Sequence, residues 1–184
     1  MGFEVRAPTG QTDSPSSELE NDSWRVDETY IQVKGKCPYL YRAVDSQGNT
    51  LDFLLSAKRD GSSAARFFRQ VLRADHTQTP RVINVDKNAA YSVATDALKE
   101  DETLDVKTEL RQVKYLNNVI EQDRRNIKRL VKPMMGFKSF NTARQTLWEI
   151  EAMSMIRKGQ VNQINQGDNV SQVKFIEELL GAIA

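Results

Sequence analysis

Histidine and cysteine are almost missing from this 184-residue chain, which has one of each, His76 and Cys37. A lone thiol cannot form an internal disulfide, and it excludes a zinc site built on paired thiolates. The lone histidine stands between Asp75 and the turn-rich Thr77-Gln78-Thr79-Pro80, and it reads as an exposed loop residue. Catalysis through several histidines, or a Ser-His-Asp triad on a rigid element, is therefore not expected. Long apolar runs are missing too. Nothing approaches the roughly 20 residues of a membrane span, and Met1 to Ser23 has no apolar stretch that would act as a signal-peptide core. The expectation is a soluble cytoplasmic protein with no membrane partner. Any chemistry must then rest on carboxylates, and oxygen-only sites favour hard cations such as magnesium or manganese.

What is present is enough for one core of ordinary domain size. Apolar residues make up 39% of the chain, a lean share that a compact domain with polar termini would give. A net charge of +1 hides a strong asymmetry. From Arg111 to Arg144, nine basic residues (Arg111, Lys114, Arg124, Arg125, Lys128, Arg129, Lys132, Lys138 and Arg144) face only Glu121 and Asp123. Such a stripe is an electrostatic footprint for a polyanion. On charge alone, a solvated helical face accounts for it equally well.

Met1 to Ser23 mixes Pro8, Gly10, Pro15 and a Ser/Asp/Glu-rich run without apolar periodicity, so residues 1–22 are expected to be a linker or disordered. β-Branched and aromatic residues then arrive in three bursts, Trp24 to Val33, Tyr39 to Val44 and Leu51 to Leu55. Lys34-Gly35-Lys36 and Asp45-Ser46-Gln47-Gly48-Asn49 separate them as hairpin connections, which predicts an antiparallel meander. Asp60 to Ser63 offer caps for a helix with Ala64, Phe68, Val71 and Leu72 on one face. Val82 to Val85 reads as a short buried strand ending at Asp86, and Asn88 caps a second helix that buries Val93, Ala94, Ala97 and Leu98.

Glu100-Asp101-Glu102 to Asp105 reads as a surface loop, and Leu110 to Val113 as a fifth strand. A helix from Asn118 runs to a break at Pro133 and Gly136, and another from about Thr142 to Lys158 carries Ala143, Leu147, Ile150 and Met153 inward. Three strands, helix, strand, helix, strand, helix is the order of a ribonuclease H-like α/β domain. The expected architecture is a mixed five-stranded sheet, three antiparallel strands and then two more, flanked by helices across residues 23–158. Residues 159–184 read as a Gln/Asn-rich linker and a short amphipathic helix carrying Val173, Ile176, Leu180 and Ile183.

Twenty-five acidic residues can be sorted into any pattern, so placement matters more than number. Asp27 lies inside the first strand, among Trp24, Val26, Tyr30 and Ile31, where an unpaired charge is unfavourable. Asp86 ends a second apolar strand, and strand ends are where open α/β sheets build sites. Those strands are neighbours in the expected architecture, and a helix from Asn118 brings Glu121 across from both. Asp27, Asp86 and Glu121 are thus candidate catalytic and metal-binding residues for two Mg²⁺ or Mn²⁺ ions about 3.5 to 4 Å apart. Arg124, Arg125 and Lys128 follow Glu121 at i+3, i+4 and i+7 on the same face, suited to a DNA phosphate. A plain surface ion pair between Glu121 and Arg124 or Arg125 is the competing reading.

These residues sit in segments that resemble the DDE transposases of bacterial and archaeal insertion sequences, most closely the insertion sequence 6 group. The resemblance spans about Ser23 to Gln160. It is carried by Trp24-Arg25-Val26-Asp27-Glu28-Thr29-Tyr30, Tyr39-Leu40-Tyr41-Arg42-Ala43-Val44-Asp45, Leu51-Asp52-Phe53, Val85-Asp86-Lys87-Asn88, Arg111-Gln112-Val113-Lys114-Tyr115-Leu116-Asn117-Asn118 and Gly136-Phe137-Lys138-Ser139-Phe140. Thirty-four residues separate Asp86 from Glu121, as in the family, and Lys128 matches its basic residue after the glutamate. Lys114 and Lys87, inside these motifs, complete the candidate phosphate-binding set.

The resemblance implies a metal-dependent polynucleotidyl transferase that nicks the terminal repeats of its element and joins the freed 3′-hydroxyls to target DNA, leaning toward replicative cointegrates. It also implies a homodimer, nucleoid association and no small-molecule cofactor. The chain departs from the family at Arg124, where His is usual, at Cys37 for Trp, at Ala89 for Pro and at Ser154 for His. Only 26 residues precede Asp27, too few for the family's helix-turn-helix, so end-specific recognition is expected to be weak or missing. Two other functions fit the same residues: a shortened transposase that inhibits by dimerising, and a general ribonuclease H-like nuclease.

Overall fold

The computed structural model describes residues 23–74, 77–113, 118–132, 136–162 and 164–179, and for 118–124 the helical backbone alone. Residues 1–22, His76, Lys114, Pro133, Leu180 and Ile183 lie outside the described residues. Strands β1 (Ser23–Tyr30), β2 (Tyr39–Val44) and β3 (Thr50–Ser56) form the antiparallel meander. Helix α1 (Gly61–Leu72) leads to β4 (Val82–Val85), α2 (Ala89–Glu100) and β5 (Glu109–Gln112). Helices α3 (Asn118–Val131), α4 (Phe140–Arg157) and α5 (Asn169–Leu179) complete the chain. The strand order is β3-β2-β1-β4-β5, and β4 runs parallel to both β1 and β5. This is the mixed, helix-flanked five-stranded sheet expected from the sequence.

Local chemistry accounts for the boundaries. Lys34 and Gly35 both take positive φ, the pattern of a two-residue hairpin turn whose twist matches its flanking strands, and Val33 and Lys36 exchange hydrogen bonds across it. Each of three helices opens on a polar cap that accepts an otherwise unpaired backbone N–H. Asp60 accepts from Ser63 at 2.8 Å, Asn88 from Ala90 at 3.0 Å and Ser139 from Thr142 at 3.1 Å.

Alternate residues of β1 face opposite sides of the sheet. Trp24 and Val26 point to the face covered by α1 and α2, in a cluster with Tyr41, Phe67, Phe68, Val71, Tyr91 and Leu98. Ile31 and Val33 point to the other face, where α3 and α4 supply Ile127, Val131, Ala143 and Leu147. Leu104 also joins the first cluster, so the acidic loop after α2 is pinned by one inward leucine.

Three inward assignments differ from expectation. Val93 is exposed and lies over the start of α1, where a Cβ on Gly61 would come within 2.9 Å of it; α2 meets the core through Tyr91, Ala94, Thr95 and Leu98 instead. Met153 and Val173 are exposed as well. The inward face of α4 passes from Leu147 to Glu151 rather than to Met153, and α5 packs Phe175 and Ile176 against Ile156, Val161 and Ile164. The stretch read as a linker is thus partly buried: Gln160 closes a two-way bond with the Thr50 backbone, at 2.9 Å in each direction.

Candidate active site

The parallel register of β1 and β4 pairs Trp24 with Ile83 and Arg25 with Asn84. Continued by two residues, it sets Asp27 level with Asp86, just past the end of β4, on strands spaced about 4.8 Å apart. Two residues that are 59 positions apart in sequence therefore share one level of the sheet, while the described contacts of the Asp86 carboxylate are to Asn88 and Arg59. Asp27 lies on the face that α3 and α4 cover, directly across from Arg42 of β2. Glu121 is in the first half of α3, and the second half of that helix packs Ile127 and Val131 against Ile31 and Val33. The helix carrying Glu121 thus covers the face on which Asp27 lies. The Glu121 side chain is outside the described residues, and among the described residues no three acidic, histidine or cysteine side chains are gathered as a metal site.

Asp86 is held by its own loop. Its Oδ1 accepts the Asn88 N–H at 3.1 Å, a short-range turn that hands the chain to the α2 cap. Its Oδ2 stands 3.4 Å from Nη2 of Arg59, and the side chain is 36% exposed. Arg59, Asp86, Lys87, Asn88 and Ala89 line an open cleft of about 460 Å³.

Glu28 was not singled out in the sequence, yet it is the centre of the hydrogen bonding here. Adjacent to Asp27, it faces the opposite side of the sheet, and its side chain is only 5% exposed. It forms an ion pair with Arg59 and accepts from Asn88 Nδ2 at 3.2 Å and the Tyr91 hydroxyl at 3.5 Å. The bond to Glu28 raises the Arg59 pKa above its ordinary value. Burial, and secondly the Glu28 and Asp86 charges, hold Tyr91 well above the ordinary tyrosine range. The signal was available in the motif containing Glu28, but nothing in the sequence joins it to Arg59, which sits in an aperiodic loop after β3.

The basic candidates fall in two places. Lys87 is exposed at the Asp86 cleft. Lys128 and Lys132 line a second cleft of about 270 Å³ with Tyr30, Ile31, Gln32, Val131 and Gly136, beyond the end of β1. Arg125 is exposed on α3, the Arg124 side chain is outside the described residues, and Lys114 is outside them altogether. The segment after α3 is tied to the chain following β1: Phe137 donates to the Gln32 carbonyl at 2.9 Å and accepts from Lys34 at 2.7 Å. Gly136 takes φ +87°, and a Cβ there would meet the Gln32 carbonyl oxygen at 3.1 Å, so the approach requires glycine.

A buried ion pair completes the Asp27 side. Arg42 and Glu151 of α4 meet at 2.5 and 3.0 Å in a two-pronged geometry, with side chains 4% and 2% exposed. The guanidinium stem beside Asp27 is thereby locked to the helix behind it.

A DDE domain family defined on IS240-type transposases matches residues 21–160. The chain is 40% identical over 136 residues to the transposase for the insertion sequence-like element IS431mec of Staphylococcus aureus, covering 73% of this chain and 58% of that protein. The transposase for insertion sequence element IS257 in transposon Tn4003 of the same organism matches to the same extent. The chain thus spans a little over half the length of these relatives. Among solved structures, the magnesium-bound HTLV-2 integrase catalytic core domain aligns with TM-score 0.54 at 16% identity, over 80% of this chain and 93% of its own. The catalytic core domain of BIV integrase aligns with TM-score 0.55 at 14% identity, over 88% and 98%. At such identities the likeness speaks for the fold, which is ribonuclease H-like.

Proposed function

Because this chain belongs to the DDE domain family of IS240-type transposases, we propose that it is the catalytic part of a transposase, cleaving DNA at transposon ends and transferring the strands to target DNA. What supports this reading is the parallel register of β1 and β4, which, continued by two residues, sets Asp27 within β1 level with Asp86 just past β4, while the helix that bears Glu121 covers the face of Asp27. Asp27, Asp86 and Glu121 are the proposed metal ligands and catalytic residues. The donor set fits the group: oxygen only, half exposed at Asp86 and open to a cleft large enough for a phosphate. The magnesium in the aligned HTLV-2 integrase core supports the choice of metal. Two divalent ions, when bound, would activate the attacking oxygen and stabilise the leaving one.

The chain's own residues do the remaining work. The Asn88 N–H orients Asp86 from one side and Arg59 from the other, so the carboxylate enters the reaction already aimed. Lys87 stands at the mouth of the same cleft, and Lys128 with Lys132 offer positive charge beyond the end of β1. Together with Arg124, Arg125 and Lys114 they are the proposed contacts to the DNA backbone, an attraction that weakens as salt rises. We further propose that the protein works as a homodimer, since two transposon ends are handled together, and in the cytoplasm on nucleoid DNA. Among the described residues, no helix is long and apolar enough to cross a membrane.

The test is incubation with a pre-nicked terminal-repeat end and Mn²⁺, followed by sequencing-gel analysis. Asp86→Asn, Asp27→Asn and Glu121→Gln should each reduce cleavage and joining by at least about a hundredfold, the scale for removing one charge-stabilising group. Turnover that survives Asp86→Asn would count against the enzyme reading. Equal action on random DNA would point to a general nuclease.

A further inference from the structure

Arg59 is bonded unequally to two carboxylates. Its partner Glu28 is nearly buried and also accepts from Asn88 and Tyr91, so that end of the arrangement is anchored by three donors on three elements: the loop before α1, the cap of α2 and α2 itself. At the other end, Nη2 reaches Asp86 at 3.4 Å, near the limit for an ion pair with hydrogen-bonding character, and both side chains are 36% exposed along the cleft. The guanidinium therefore occupies, beside Oδ2, the kind of position a metal cation would take, yet its firm attachment is to Glu28.

We propose that Arg59 is a built-in placeholder cation for Asp86, holding the carboxylate in place while the divalent ion is absent and giving up Oδ2 when that ion binds. This rests on the reading of Asp86 as a metal ligand. The exchange needs no rearrangement of the anchor. A divalent ion held by Asp86 would repel the guanidinium and supply the counter-charge that Arg59 supplies in its absence, while Glu28 would retain Arg59 at the edge of the cleft. The site is thus kept from collapsing or splaying when empty, at the expense of some metal affinity. Arg59 acts here as a positioning residue, working through Asp86.

The experiment is calorimetric titration of the full chain with Mn²⁺ in the absence of DNA, paired with thermal melts across the same titration. Arg59→Gln should bind Mn²⁺ about two- to fivefold more tightly, the range for losing one half-exposed charge pair. Arg59→Lys, which keeps the charge, should stay close to the unchanged protein. The Arg59→Gln protein should melt at a lower temperature without metal, and the gap should narrow without closing as Mn²⁺ saturates, because the ion replaces the guanidinium at Asp86 but not at Glu28. A merely structural arginine would leave that gap constant, and unchanged or weaker Mn²⁺ affinity in Arg59→Gln would overturn the proposal. Asp86→Asn separates the two levels: binding that persists in it defeats the metal-site reading itself, whereas binding lost in it but unmoved in Arg59→Gln defeats only the placeholder. Should Arg59→Gln not fold, Mg²⁺ titration of the unchanged protein gives the same decision. The Arg59 side-chain NMR resonances should then shift with the calorimetric midpoint, and resonances that stay fixed would overturn the proposal.

Discussion

The two faces of the sheet are built from different materials. Under α1 and α2 the cover is aromatic and apolar, with Trp24, Tyr41, Phe67, Phe68 and Tyr91 buried and four of them in ring contact. Under α3 and α4 the apolar cluster is smaller, and a buried ion pair, Arg42 with Glu151, sits where a core would normally be apolar. Asp27 projects into the second face and Glu28 into the first. The difference teaches where stability and chemistry are divided: the aromatic face holds the scaffold together, and the charged face tolerates Asp27, the carboxylate proposed for catalysis.

Changes to the two faces should therefore differ in kind. The largest effect is expected from Phe68→Ala, which removes a fully buried ring packed on Phe67 and Tyr91; a loss of about 3 to 5 kcal/mol should appear in urea denaturation. Glu151→Leu takes the two-pronged carboxylate away from the buried Arg42 guanidinium and should cost roughly 3 kcal/mol, whereas Arg42→Met with Glu151→Leu should recover most of it. A double-mutant cycle on urea midpoints checks this, and purely additive losses would erase the contrast between the faces. A smaller loss, about 1 kcal/mol, is expected when Ser139→Ala removes the cap of α4, read in the same way.

The subtlest effect is one of pH. The folded protein keeps the proton on Tyr91, and on Tyr41, beyond the pH at which the unfolded chain releases it, because burial raises both pKa values from 10.0. The stability they contribute is complete below about pH 10 and falls as pH rises above it. Tyr91→Phe should flatten that alkaline decline in denaturation midpoints, and an unchanged slope would remove Tyr91 from the account.

Legibility followed the range of the forces involved. Strands β2 and β4 have the bounds read from their β-branched and aromatic runs, and the caps Asp60 and Asn88 lie where a short polar side chain precedes a helical pattern. Those features depend on neighbours a few residues away. Val93 and Met153 misled because helical periodicity identifies a face but not what lies opposite it: α2 turns Tyr91 and Leu98 inward, and α4 carries a charged residue, Glu151, on its inward side. Gln160 was hidden for the opposite reason, as a polar residue in a polar stretch whose partner, Thr50, is 110 positions away.

The sequence by itself determined the elements, their order, the family and the identity of Asp27, Asp86 and Glu121 as candidates, because motifs and periodicity are written along the chain. Only the tertiary structure decided that β1 and β4 pair in parallel in a register that brings Asp27 level with Asp86 just past β4, that adjacent Asp27 and Glu28 serve opposite faces, and that Arg59 spans Glu28 and Asp86. Those are facts of register and long-range charge pairing, and they come into being only when distant segments are brought within a few ångströms of each other.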